Sequence, residues 1–89
     1  MRLLYPSDPL DPRRPDETWA DEHDAARDAG LPCSLFSSEE LEIGRFRPRP
    51  VLDDGEAVLQ RGWMMTVDSY GRWCTAVERA GGRPLVSVE

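Results

Sequence analysis

The chain has 89 residues and a mass of 10.1 kDa, with 17 acids against 11 bases, a formal charge of -6 and a pI near 4.7. That length gives one domain, and so small a domain buries only about 60 to 65% of its unfolded surface, which leaves a thin stability margin. Excess acid opposes the counterion release that drives nucleic-acid binding, and no apolar run approaches the roughly 20 residues of a membrane span, so neither nucleic acid nor membrane is an expected partner.

Residues 1–44 hold 11 acids and 4 bases, whereas residues 45–89 hold 6 acids and 7 bases, so the negative charge belongs almost wholly to the first half. Arg2-Leu3-Leu4-Tyr5 predicts a strand that ends near Tyr5, and the four prolines between Pro6 and Pro15 predict a loop. Met1 to Pro6 lacks a signal-peptide core, which makes the cytoplasm the expected compartment. A helix is predicted from Asp16 or Glu17 to Ala29, with Gly30 and Pro32 as its stop. At 100° per residue its Glu17, Asp21, Asp24 and Asp28 form one solvated stripe, with Trp19 and Ala26 opposite and His23 at the edge of that inner face. Cys33 to Phe36 reads as a second strand, and Ser37 to Glu42 as a capped helical turn. The prolines of Arg45 to Pro50 limit that segment to an extended connector or sheet edge. After a turn at Asp53 to Glu56, Ala57 to Gln60 supplies a third strand. Thr66 caps a helix running to about Ala80, with Tyr70, Cys74 and Val77 inward, Trp73 at the margin, and Asp68, Arg72, Thr75 and Arg79 outward. Gly81-Gly82 closes that helix, and Pro84 to Val88 makes a fourth strand.

The expected fold class is therefore α/β: a small, mostly parallel sheet of three to four strands with two main helices. Two helices barely cover such a sheet, so the chain reads as the front of something longer or as a subunit that leans on a partner.

Ligands of open α/β sheets collect beyond the carboxyl ends of the strands, which directs attention to the loops after the first and third predicted strands. Arg61 offers a guanidinium fork suited to a carboxylate or phosphate, Gly62 lets the backbone turn closely, and Trp63 offers a flat apolar wall. Alternatively Arg61 is a structural partner of Asp8 or Asp16 across the loops, and Trp63 plugs the sheet. Cys33 and Cys74 fall on faces expected to be buried and read as inert core thiols, and His23 as a packed histidine. Two cysteines and one histidine do not make a metal site, and the chain has no Lys and no glycine-rich loop opening a helix.

Leu3-Leu4-Tyr5-Pro6-Ser7-Asp8-Pro9, Pro15-Asp16-Glu17 with Trp19 and Glu22, Ala25-Ala26, Ala29-Gly30, Ser34-Leu35-Phe36, and above all Arg61-Gly62-Trp63-Met64-Met65 with Tyr70 form an ordered series. Together they resemble the N-terminal, pre-ATP-grasp region of a group of bacterial ATP-grasp proteins, over essentially all 89 residues. The resemblance departs at Gln60, where the group commonly carries Tyr before the Arg. It implies a Rossmann-like domain that forms the substrate side of an ATP-dependent carboxylate ligase and is inactive alone. ATP and magnesium would then be held only by a C-terminal ATP-grasp part, in cis or in trans. The substrate would be a small carboxylate or amine; from the strand-end geometry Arg61 is expected as anion contact, Gly62 as the close backbone turn, Trp63 as wall, and Asp8 or Glu17 as contacts to a cationic group. The competing reading is a self-contained acidic protein-protein interaction module. A third, a small standalone enzyme, lacks any nucleophile and base pair in the sequence.

Overall fold

Side-chain alternation along the first strand decides the layers. In the computed structural model, which describes residues 1–62 and 66–85, β1 (Arg2–Asp8) turns Leu4 to one face of the sheet and Leu3 and Tyr5 to the other. The other strands are β2 (Asp11–Pro15), β3 (Cys33–Phe36), β4 (Ala57–Gln60) and β5 (Arg83–Pro84). The helices are α1 (Ala20–Asp28), preceded by a 3-10 turn at Glu17–Trp19, α2 (Ser38–Glu42) and α3 (Val67–Arg79). β3 and β4 flank β1 in parallel, with Tyr5 opposite Leu35 and Leu4 opposite Gln60, and β5 lies parallel outside β4. β2 pairs antiparallel with the far end of β1, so the sheet is mixed.

Each face has its own apolar layer. Leu4, Phe36 and Val58 pack with Leu41 of α2 and with Trp73 and Val77 of α3. Leu3, Tyr5 and Leu35 pack with Ala26 of α1, and Trp19 and Leu59 lean on the same cluster. Complete burial of Leu4, Val58 or Val77 contributes about 1.5 to 3 kcal/mol each from the exclusion of water. Helix starts follow the capping grammar of the sequence: the side chain of Asp16 accepts from Thr18 N at 2.9 Å, Ser37 from Glu40 N at 3.2 Å and Thr66 from Ser69 N at 3.1 Å.

Several expectations are corrected. The predicted loop from Pro6 to Pro15 is instead the end of β1 and a hairpin return through β2, which brings the described strands to five and makes the sheet mixed. Prolines are tolerated there because β2 is an edge strand, and Pro6, which has no N–H to donate, uses its carbonyl to accept from Asp16 N at 2.9 Å. Trp73, placed at the margin of its helix by the wheel, is fully buried and sits in the centre of the α3 layer. Cys33 and Cys74 are half-buried rather than enclosed. The helix predicted from Asp16 or Glu17 begins instead as a 3-10 turn at Glu17–Trp19, and α1 itself starts at Ala20. The acids of the predicted stripe are exposed, and so are Asp68, Arg72, Thr75 and Arg79 of α3. Arg49 bridges the outer edge of β3 through paired 2.9 Å bonds with Leu35, as an edge segment should. Of the predicted last strand, Pro84 lies in β5 and Val86 to Val88 are outside the described residues. Among the described residues no helix is long and apolar enough to cross a membrane.

Candidate functional site

Arg61 follows β4 directly and its N–H donates to Leu4 O at 2.8 Å, which sets the residue beside the carboxyl-terminal half of β1. Its guanidinium grips Glu22, in the first turn of α1, with both arms: Nε donates to Oε2 and Nη2 to Oε1, each at 2.8 Å. The Tyr5 hydroxyl donates to the same Oε2 at 2.7 Å. Tyr5 is itself almost wholly buried, its ring meeting His23 edge-on at 5.4 Å and 87°. Three elements thus converge on one carboxylate: β1, α1 and the residue after β4.

These bonds settle the charges. The guanidinium bonds, then the phenol bond, hold the Glu22 carboxyl down at about 2. Burial, reinforced by the neighbouring carboxylate, pushes the Tyr5 phenol up to about 12. Glu22 likewise holds Arg61 firmly in its charged form. Near neutral pH none of the three is poised to exchange a proton, so the cluster acts as a fixed ion pair anchored by a neutral phenol, not as a general acid or base. The pair stays accessible, with side-chain exposure of 46% for Arg61 and 38% for Glu22. Among the described residues Arg61 Nη1 takes part in none of these bonds. The location is also distinctive. From β1 the chain goes outward to β3 and returns on the opposite side as β4, so this cluster stands at the carboxyl ends of two adjacent parallel strands where the strand order reverses.

The other candidate residues lie as follows. Gly62 passes so close to β1 that a Cβ there would lie 2.8 Å from Pro6 Cδ, which makes glycine a steric requirement. Asp8 serves the β1–β2 turn, its Oδ1 accepting from Leu10 N at 2.7 Å, and Asp16 is occupied as a cap, so Arg61 pairs with Glu22 instead of with either. Glu17 is exposed in the 3-10 turn that precedes α1, and Trp63 is outside the described residues. Glu22 and Tyr5 were missed as functional side chains, although Glu22 carried a signal: on the helix wheel it stands about 140° from Glu17, well off the acidic stripe and toward the inner face. A buried Tyr also needs a partner for its hydroxyl.

A second polar knot is structural. Arg2, 9% exposed, donates from Nε to Glu56 Oε1 at 2.8 Å and from Nη1 to Ser34 Oγ at 3.1 Å, while Ser34 donates to Pro50 O at 2.6 Å. Burial works against the Glu56 charge, but the bonds from Arg2 and Asp53 N–H outweigh it and hold the carboxyl below its usual range. Burial pushes both thiols up, away from reactive thiolate. Among the described residues no group of three or more His, Cys, Asp or Glu side chains is gathered to hold a metal ion. Comparison with protein-family models, with curated proteins and with solved structures gives no match for this chain.

Proposed function

We propose that this chain is the substrate-side accessory domain of an ATP-grasp-type ATP-dependent carboxylate ligase, Rossmann-like in its parallel strands and not catalytic alone. The observation that carries the reading is the position of the Arg61–Glu22–Tyr5 cluster at the strand-order reversal, where α/β sheets present ligands. A small substrate carboxylate is met by the donors of Arg61 Nη1, and an amine by Glu22, which Tyr5 and Arg61 keep ionised. Gly62 lies next in the chain, and the roles proposed for Trp63 as a wall and for Asp8 or Glu17 as contacts to a cationic group rest on the sequence. The residues present do not fit a triphosphate and its magnesium, since the chain has no Lys and no glycine-rich loop opening a helix. Acyl-phosphate activation by ATP therefore belongs to an ATP-grasp part supplied in cis or in trans.

The test is a titration of ¹⁵N-labelled protein with a panel of small carboxylates and amines, alongside an ATP-turnover assay. Saturable shifts at Tyr5, Glu22 and Arg61 that vanish in Arg61→Ala, with no turnover, are expected. ATP hydrolysis by the clean 89-residue chain, or a panel without response at this cluster, overturns the reading.

A further inference from the structure

Away from the Arg61 pair, a cavity of about 570 Å³ opens between the end of α1, the start of β3 and the Arg49-Pro50 segment. Four of the eleven arginines line it, Arg2, Arg13, Arg27 and Arg49, together with His23 and Cys33, and among the described residues no carboxylate does. In a chain of net charge -6 such a concentration of cations is against the overall trend. Leu31, Pro32 and Leu35 add apolar wall, and the volume is that of a small-molecule site.

The cations differ in how far the protein already satisfies them. Arg2 is locked by Glu56 and Ser34 and serves as a fixed positive wall. The Arg27 guanidinium makes no hydrogen bond or ion pair among the described residues, although the Arg27 carbonyl accepts from Gly30 N at 2.9 Å. Arg13 reaches Asp11 only at 3.7 Å with its side chain 85% exposed, and Arg49 stands 3.5 Å from Glu40. The His23 side chain is 93% enclosed, and its Nδ1 has no hydrogen-bond partner, the nearest carboxylate oxygen, on Asp24, being 3.6 Å away. The positive field reaches the interior: burial raises the Cys33 thiol while Arg27 and Arg2 pull it the other way. Arg13 and Arg49 are held only by loose ion pairs and Arg27 by none, so guanidinium groups around this half-enclosed space still repel one another, and an anion between them removes that repulsion while accepting bidentate bonds. The larger groove between α2 and α3 lacks this feature, because its Arg72 is already paired with Glu42 at 2.9 Å.

We infer that this cavity binds a small anion bearing two or more negative charges, as phosphate or carboxylate groups, gripped by Arg13, Arg27 and Arg49. The site is separate from the Arg61 cluster and does not depend on the ligase reading.

The experiment titrates the ¹⁵N-labelled 89-residue chain at low ionic strength with pyrophosphate in one arm and citrate in the other. Saturable shifts of the Gly30, Leu31 and Cys33 amides are expected in at least one arm, and the stronger arm identifies the anionic group. Affinity should fall by about tenfold or more in an Arg13→Ala, Arg27→Ala double variant and by a smaller factor in Arg27→Gln, but stay unchanged in Arg79→Ala, an exposed position on α3. Arg13 and Arg27 are exposed, so the variants should keep the parent spectrum elsewhere. Absence of saturable shifts in both arms, or equal affinity in the double variant, overturns the proposal. A response at Arg61 alone overturns it too, while leaving the ligase reading standing.

Discussion

Tyr5 and Glu22 impose opposite demands that one hydrogen bond satisfies: the buried phenol needs an acceptor, and the carboxylate needs donors to stay charged. Tyr5→Phe removes a bond to a charged group and should destabilise the chain by about 1 to 2 kcal/mol, read as a lowered urea midpoint. The neighbouring ion pair is more than a third exposed, so water screens it. Arg61→Ala should therefore cost under about 1 kcal/mol and lower the melting temperature by only a few degrees. Gly82 is constrained by packing: an added Cβ would lie 3.0 Å from Leu52 Cδ1, Val58 Cγ2 and Val77 Cγ1. Gly82→Ala should cost about 1 to 3 kcal/mol by overfilling that contact, measured by thermal melting.

The helices were legible because each signal is local. Thr66 accepts from Ser69 N, and the apolar face of α3 repeats at helical spacing, so both the start and the inward side can be read along the chain. Thr66→Ala should cost about 1 kcal/mol, visible in the urea midpoint without change of fold. The hairpin between β1 and β2 was not legible in the same way. Proline density marks a segment that cannot lie inside a sheet, but it does not separate a loop from an edge strand. That distinction is made by pairing: Ser7 lies opposite Pro15 and Asp8 opposite Asp11, contacts that no local rule contains. Trp73 was misplaced for a related reason, since a helix wheel gives direction and the depth of a side chain depends on what packs opposite it, here Leu4, Val58 and the Tyr70 ring stacked at 5.6 Å.

The molecule's pH response follows from groups whose proton affinity changes on folding. Glu22 is held at about 2 against an ordinary 4.5, Glu56 is also held low, and burial lowers His23 below 6.5. In each case the unfolded chain binds more protons, so stability rises with pH and is lost as pH falls, first below about 6.5 through His23 and then from about 4.5 toward 2 through the carboxyls. Tyr5 works at the other end. Its phenol is held at about 12 against 10, so the stability it contributes is complete below pH 10 and lost between about 10 and 12. Calorimetry across pH should show a plateau from about pH 7 to 8, an alkaline flank that begins near 9 as the two thiols raised by burial titrate in the unfolded chain and steepens through Tyr5, and an acid flank whose part below about pH 4.5 Glu22→Gln should flatten.

Composition and periodicity alone determined the α/β class, the positions of the main helices and the acidic outer stripe that leads into α1, because these depend on residue type and on spacing along one element. Tertiary structure alone decided that Arg61 pairs with Glu22, that Tyr5 completes the knot, and that arginines from β2, α1 and the segment beside β3 share one acid-free cavity. Those relations join residues up to 39 positions apart. The choice among Asp8, Asp16 and Glu22 turns on where the sheet brings α1 relative to the end of β4, a matter of strand order and register that the charges of the side chains do not encode.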